Sequence, residues 1–369
     1  VPTLVLGSGI VGTAAAWDLV RRGHDVAVAD ADIDVARSAA AISGANAISI
    51  DAEDTTNLLS ELDRFAVVVA AVPYRYGLSV ATAALTTETH YIDFGGNPTV
   101  VASQKRLHDQ AVDASVMIVP DCGLAPGLAN VLAEDLIASS SPGVIDSIQI
   151  RVGALPQEPA GALGYQLAFN PAGLINEYAE PCEIIRDGEY TIVEPLTRFE
   201  EVEWEGWGPL EAFSTAGGTS TMPIRHVGRV RSLEYKTLRY PGHGIVFRSL
   251  LEMGMFDEPQ RLIGATAMSP REVLLDALDR TMPRGAPDVV LVRVWRDNAG
   301  ARTTLQLADT ERDGFSALAR TTAFPATALA DLIVRGLVDR PGVLTMSEAV
   351  HASELLPELE DVSIVVETY

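Results

Sequence analysis

Residues able to do chemistry gather in a few short stretches of this 369-residue chain. In PDCGLAPGLANVL, Pro120 to Leu132, the apolar run Val116 to Val119 breaks off into Asp121-Cys122-Gly123. A thiol there can be a nucleophile, a metal ligand, a redox group or the wall of a pocket. YIDFGGN ends another apolar run in Asp93, a carboxylate able to orient a group or accept a proton. LEYKTLRYPGH carries Lys236, Arg239 and His243. A buried lysine becomes a base when its pKa falls, and arginine grips a carboxylate with a planar two-point fork. GPLEAFSTAGGTST sets Glu211 before the hydroxyls of Thr215, Thr219 and Ser220. Its glycines resemble a phosphate cradle but lack the P-loop spacing and lysine. Gly217-Gly218 therefore reads as a tight turn that presents hydroxyls to a substrate pocket.

The net charge is −23, and only two of the basic residues are lysines, Lys105 and Lys236. Such acidity argues against nucleic acid as partner, because phosphates need a basic face. Cys122 and Cys182 stand sixty residues apart, with no CxxC pair and no secretory signal, so a reducing cytoplasm is expected. The six histidines are scattered, and no metal site is expected. The longest apolar run is too short to span a bilayer, and no membrane association is expected.

The elements that position these residues are legible first at the amino terminus. Thr3 to Leu6 reads as a buried strand, followed by Gly7-Ser8-Gly9-Ile10-Val11-Gly12, a G-x-G-x-x-G run. Apolar residues at helical spacing follow, Gly23 ends that helix, and Asp25 to Ala29 is a second strand ending in Asp30. Gly7 allows the tight turn, Gly9 lets backbone approach a pyrophosphate, and Gly12 lets the helix pack on the sheet. The uncapped helix start offers N–H groups to the anion. Asp30, at a strand end eighteen residues after Gly12, fits the ribose hydroxyls and repels a 2′-phosphate. The cofactor is therefore read as NAD, held by Gly7 to Gly12, Asp30, Ala31, Asp51, Ala71, Val72 and Pro73.

Further strands at Ala47 to Ile50, Ala66 to Ala71, His90 to Asp93 and Val116 to Val119 alternate with helices at Thr55 to Leu62, Leu78 to Thr86 and Val100 to Ala114. That rhythm predicts a Rossmann-type, doubly wound parallel sheet, with ligands beyond the carboxyl ends of its strands. Tyr74, Asp93 and Cys122 lie at such ends. SSSPG, Ser139 to Gly143, reads as a linker. Beyond it, strands at Ile145 to Val152, Gly188 to Val193, Val289 to Trp295 and Thr303 to Ala308 predict a second α+β domain on a mixed, mostly antiparallel sheet. The amphipathic Thr322 to Leu337 predicts a return to the first domain, with one late strand at Val362 to Val366. The expected division is 1–138 with 322–369 for the dinucleotide, and 139–321 for substrate and oligomerisation.

GSGIVG, YIDFGGN, PDCGLAPGLANVL, FNPAGLINEYAEP, GPLEAFSTAGGTST and LEYKTLRYPGH occur in this order over about residues 3 to 345. Together they resemble the saccharopine dehydrogenase-like family, and within it the lysine 6-dehydrogenase branch. The resemblance implies NAD-dependent oxidative deamination at the ε-carbon of L-lysine, giving ammonia and allysine, which cyclises to a piperideine carboxylate. It also implies that Tyr74, Asp93 and Cys122 line the nicotinamide crevice, with the Asp and Cys as catalytic or pocket residues, and that the chain forms a homodimer or larger. Cys122 reads as a wall, since this reaction needs no covalent bond to sulfur.

Hydride leaves the ε-carbon only from the neutral amine. A free lysine ammonium titrates near ~10.4, so deprotonation at pH 7 costs roughly 4–5 kcal/mol. The site needs a base, for which Asp93 and Lys236 are candidates, with His243 as a relay. It also needs an arginine for the α-carboxylate, for which Arg239 is the candidate, and an acid for an ammonium, for which Glu211 is. Thr215 and Thr219 add hydrogen bonds to substrate. A saccharopine-type reductase acting on a secondary amine, and a non-enzymatic NAD-binding sensor, stay open as alternatives.

Overall fold

The computed structural model describes every residue except Gly96, Ala160, Phe169, Gly264 and Ala265. Gly96 of the DFGGN strand end and Phe169 of the FNPAGL stretch thus lie outside the described residues. The chain divides into two compact units, Val1–Ser139 with Ala319–Val366, and Ser140–Leu318 with Glu367–Tyr369.

In the first unit, six strands alternate with helices. The strands are β1 Pro2–Leu6, β2 Asp25–Asp30, β3 Asn46–Ser49, β4 Val67–Ala70, β5 His90–Asp93 and β6 Met117–Val119. The helices are α1 Ile10–Arg21, α2 Ile33–Ser43, α3 Thr55–Leu62, α4 Gly77–Thr86, α5 Pro98–Lys105, α6 His108–Asp113 and α7 Leu128–Ala138. The sheet runs β6, β5, β4, β1, β2, β3, with Gly342–Val343 added beyond β6, and these neighbours pair in parallel. Its strands are apolar on both faces: Leu4, Val5, Val67, Val68, Val69, Ile92 and Ile118 are fully buried. That is the pattern of a sheet covered by helices on both sides. The chain winds outward from β1 to β3, returns, and winds the other way through β4 to β6. The switch point therefore lies between the ends of β1 and β4.

The 100–114 helix expected from periodicity is two helices. Gln104 at the end of α5 donates to the Asp93 carboxylate (2.7 Å), while His108 at the start of α6 accepts from the Val343 N–H (3.1 Å). These tertiary anchors lie on either side of the break, and the apolar spacing does not register them. The long helix Ala317–Val334 has the length and composition of a membrane span, yet 83% of it is buried, as in a core helix.

The second unit is built on β7 Ile145–Pro156, β8 Cys182–Arg186, β9 Glu189–Val193, β10 Glu200–Trp204, β11 Gly208–Ser214, β12 Val230–Arg239, β13 Arg261–Ile263, β14 Thr266–Met268, β15 Asp288–Asn298 and β16 Ala301–Thr310. Its helices are α8 Pro171–Ala179, α9 Met222–Arg225, α10 His243–Glu252 and α11 Pro270–Thr281. The main sheet runs β10, β11, β12, β7, β15, β16, antiparallel throughout except between β12 and β7. Helix α11 starts with a capping box, Ser269 and Glu272 each bonding the other's backbone N–H (3.0 and 2.6 Å).

The tail corrects the expectation. Residues 362–366 form no strand, and the last strand, Glu367–Thr368, pairs with β16 and so belongs to the second unit. A short apolar run carries no information about which sheet edge it meets.

Candidate active site

The glycine-rich loop joins β1 to α1 at the switch point. Gly7 has φ +102°, and a Cβ there would lie 2.4 Å from the Ala71 carbonyl oxygen. A Cβ on Gly12 would fall 1.9 Å from the Gly7 carbonyl oxygen. Both positions therefore exclude any side chain. Gly9 meets nothing within 4 Å, so it keeps open space in front of the helix. No side chain caps α1, and its first N–H groups remain for an anion. Asp30 accepts from the Ser8 N–H (3.1 Å) and the Asp32 N–H (3.2 Å), one bond on each oxygen. A carboxylate has about four acceptor positions, so it retains capacity for the two hydroxyls of a ribose. Arg37 pairs with Asp34 (3.0 Å). An uncapped helix start, an unobstructed approach at Gly9 and a carboxylate at the end of β2 fit a dinucleotide. Asp51, at the end of β3, folds back on the Glu53 N–H (2.9 Å). Ala31, Val72 and Pro73 are exposed or half-buried at the neighbouring strand ends.

The ends of β4 and β5 frame a cavity of about 30 Å³, lined by Val72, Tyr74, Tyr91, Asp93, Asn97 and Gln104 among others. Tyr74 and Asp93 thus meet as the sequence predicts, but Asp93 is not available as a base. Its carboxylate accepts from the Tyr91 hydroxyl (2.8 Å), Gln104 Nε2 (2.7 Å), the Gly95 N–H (2.7 Å) and the Asp121 N–H (3.3 Å). Four donors fill its acceptor positions. Burial pushes its pKa up, and the four hydrogen bonds pull it back. The residue ties the ends of β5 and β6 together.

Cys122 is fully buried, and its Sγ donates to the Val119 carbonyl oxygen (3.3 Å). Burial, then the charges of Asp93 and Asp121, push its pKa well above the ordinary thiol value. It is a packed thiol, neither nucleophile nor exposed wall. PDCG follows β6 because Asp121 sits at φ +61° and the Cys122 N–H bonds the Asp93 carbonyl (2.8 Å).

In the second unit, strand alternation divides the LEYKTLRYPGH candidates. Lys236 and Arg239 are three residues apart on β12, an odd number, so they point to opposite faces. On one face Lys236 (4% exposed) pairs with Glu200 (2.6 Å) and lies 3.7 Å from Glu234. Arg151, opposite Lys236 in register, bonds both glutamates, and Arg198 holds Glu234 (2.8 Å). Lys236 is thus a member of a buried ion network rather than a base.

Arg239 (3% exposed) lies on the other face. Its Nε donates to the Tyr178 hydroxyl (2.9 Å), its Nη1 to the Leu238 carbonyl (2.9 Å), and its Nη2 lies 3.9 Å from Glu177. The guanidinium stacks over the Tyr165 ring at 4.8 Å. The Tyr178 hydroxyl lies 3.0 Å from His243 Nε2, and His243 Nδ1 lies 3.1 Å from the Leu163 carbonyl oxygen. The direction of this chain is forced. Arginine only donates, so Tyr178 spends its single proton on Nε2, and Nδ1–H donates to Leu163. Burial, then the charge of Arg239, lowers the His243 pKa to about 3. His243 is therefore a fixed neutral acceptor and not a relay near neutrality.

Two more candidates prove structural. Glu211 accepts the N–H groups of Gly242 (3.0 Å) and Gly244 (2.6 Å), holding the first turn of α10. Thr219 donates to the Glu183 carbonyl (3.1 Å). Gly218 packs under Tyr235, whose ring a Cβ would meet at 2.5 Å, so GGTST is a turn fitted to an aromatic face. Thr215 shares Glu177 with Thr237: the hydroxyls lie 3.4 and 2.8 Å from its carboxylate.

Tyr165, Glu177 and Tyr178 were not singled out in the sequence. Glu177 and Tyr178 lie inside the FNPAGLINEYAEP stretch, and the usable signal was the polar run Asn176-Glu177-Tyr178 on an otherwise apolar short helix. Tyr165 carried none.

Comparison with known proteins now bears on this arrangement. Residues 3–119 match the family model described as the saccharopine dehydrogenase NADP binding domain, and 123–364 that of the saccharopine dehydrogenase C-terminal domain. The chain is 22% identical to saccharopine dehydrogenase [NADP(+), L-glutamate-forming] of Saccharomyces cerevisiae, over 97% of this chain and 96% of that one. It is 25% identical to alpha-aminoadipic semialdehyde synthase of Arabidopsis thaliana, over 61% of this chain and 22% of the relative. Among solved structures it resembles apo saccharopine dehydrogenase (L-Glu forming) of Saccharomyces cerevisiae, with TM-score 0.82, 19% identity and coverage of 100% and 99%. It also resembles the homospermidine synthase of Legionella pneumophila in complex with NAD, with TM-score 0.70, 13% identity and coverage of 100% and 91%. At these identities the structural likenesses speak for the fold alone.

Proposed function

Since the chain belongs to the saccharopine dehydrogenase family, we propose that it is an NAD-dependent dehydrogenase that oxidises L-lysine at its ε-carbon. The products are NADH, ammonia and allysine. Bound nicotinamide dinucleotide supplies the hydride acceptor. Gly7 to Gly12 and Asp30 hold it, and Asp30 disfavours a 2′-phosphate by charge and by competing for the same place.

One observation carries the choice of lysine over saccharopine. Among the described residues, Arg239 is the buried cation on its face of the second sheet, with N–H groups beyond those spent on Tyr178 and Leu238. Lys236, Arg151 and Arg198 are engaged by Glu200 and Glu234 on the opposite face. Arg225 is exposed, and Arg229 is half-buried and donates to the Ser141 carbonyl oxygen (3.2 Å). One anchor suits one carboxylate, whereas saccharopine has three.

Asp93, Lys236 and His243 are each engaged elsewhere, so the reading draws the neutral amine from solution. The value of kcat/KM then climbs about tenfold per pH unit up to the lysine pKa near ~10.4. The second reading, an NADP-dependent saccharopine dehydrogenase, is favoured by the names of the relatives. NADH or NADPH appearance with lysine, ornithine and saccharopine separates the two. Turnover of saccharopine without lysine sinks the proposal, and equal turnover with NADP sinks the role given to Asp30.

A further inference from the structure

The Arg239 cluster holds more than an anchor for one negative charge. The Tyr165 hydroxyl is buried, and among the described residues it has no hydrogen-bond partner. A hydroxyl in that state costs stability unless something donates to it or accepts from it. Its own ring lies under the Arg239 guanidinium, 4.8 Å from centroid to Cζ. Glu177 is the outermost member, its side chain 22% exposed and held by the Thr215 and Thr237 hydroxyls. Its carboxylate and Arg239 Nη2 stand 3.9 Å apart, beyond hydrogen-bond length. A cation and an anion thus lie side by side without closing on each other.

We infer that Tyr165 and Glu177 complete Arg239 into a site for the zwitterionic head group of a free α-amino acid. The carboxylate lies against Arg239 and accepts from the Tyr165 hydroxyl. The α-ammonium donates to Glu177. Both charges discriminate: Glu177 repels a ligand with a carboxylate alone, and Arg239 repels one with an amine alone. Tyr178 and His243 are positioning residues. Their one-way chain to the Leu163 carbonyl fixes the Nε edge of Arg239 and leaves the far edge toward Glu177. His243 is kept neutral there by burial and by Arg239 itself, so the anchor keeps its shape across the physiological range.

The inference rests on the functional reading above only in taking an amino acid as ligand. The test uses probes that cannot be oxidised at an ε-amine: L-norleucine, which keeps the whole head group, hexanoate, which lacks the ammonium, and hexylamine, which lacks the carboxylate. Calorimetry on the full chain with NADH present measures their affinities. Norleucine binds at least about tenfold tighter than either truncated probe, equal to ~1.4 kcal/mol. Tyr165→Phe removes a hydroxyl that has no partner among the described residues, so its melting temperature is unchanged or higher, yet norleucine affinity falls about tenfold. Glu177→Gln, which can still accept from both threonines, erases the preference for norleucine over hexanoate. Equal binding of norleucine and hexanoate by the unaltered protein overturns the inference, as does an unchanged affinity in Tyr165→Phe. If lysine is oxidised while norleucine neither binds nor competes, the site is wrong and the functional reading stands. If norleucine binds as described but lysine is not oxidised, the site stands and the functional reading falls.

Discussion

Replacing Lys236 by methionine tests whether this residue is a base or a structural charge. In the network, three cations (Arg151, Arg198 and Lys236) face two anions, Glu200 and Glu234. Lys236→Met removes the 2.6 Å contact to Glu200, but Glu200 keeps its bonds from Arg151, and its side chain is 32% exposed. The remaining charges balance, two against two, and the methionine occupies the lysine's apolar path. A charge-assisted bond contributes ~1.5–3 kcal/mol, and part of that is offset because a well-packed apolar residue replaces a desolvated ion. The expected cost is about 1–2 kcal/mol, or roughly 2–8 °C in Tm. Glu234→Gln is the contrasting variant. It leaves three cations around one anion and costs ~3–5 kcal/mol, as breaking a buried pair from one side does. Calorimetric melting ranks the two variants, and steady-state turnover with lysine and NAD follows each. Because Lys236 lies on the sheet face opposite Arg239, turnover in Lys236→Met matches the unaltered enzyme. A folded Lys236→Met protein that loses ~100-fold or more in kcat, an amount expected for removal of a general base, would refute the face assignment. A larger stability loss for Lys236→Met than for Glu234→Gln would refute the charge count.

Three further outcomes follow from the same geometry. Cys122→Ala retains turnover and loses ~1 kcal/mol of stability from the vacated volume; in the native protein the thiol ignores a disulfide reagent until unfolding, and rapid native-state labelling would contradict its full burial. His243, with its pKa lowered to about 3, shows constant ring chemical shifts between pH 5 and 8, and a titration near ~6.5, the ordinary value, would remove the fixed-acceptor assignment. Burial of Asp331 alone would raise its pKa, but hydrogen bonds from His24 and Arg335, with the charge of Arg22, bring it below the ordinary aspartate value. A lowered carboxylate contributes stability above its unfolded pKa and loses it as pH falls through the folded value. Stability of the unaltered protein, measured by chemical denaturation, therefore falls below about pH 4, and Asp331→Asn is less stable at neutral pH but flatter across that acid window; parallel curves for the two would argue against the pairing.

The first unit is legible in the sequence because its signals are local. A strand, three glycines at fixed spacing, a helix and an acid at the next strand end are neighbours along the chain. Sterics at Gly7 and Gly12 demand those residues wherever the motif occurs. The mixed second sheet was also legible in outline, through runs of alternating residues such as those in β7 and β15. The identity of the site was legible only as a list of residue types.

What the list lacked was direction and partners. LEYKTLRYPGH presents Lys236, Arg239 and His243 within eight residues, and they read as one cluster. The two-residue period of β12 sends Lys236 to one face and Arg239 to the other, and a one-residue difference in register would have reversed that choice. Partners are set at longer range still. Arg239 meets Tyr178 across 61 residues of sequence, Lys236 meets Glu200 across 36, and Asp93 meets Gln104 across 11. Each meeting decides whether a charged side chain is free or spent. The sequence alone determined the fold class and the place for a dinucleotide, because short-range sterics and periodicity dictate both. Only the tertiary structure decided which acids, bases and cations remain for a substrate, because a side chain's hydrogen-bonding capacity is used up by groups that folding brings from elsewhere.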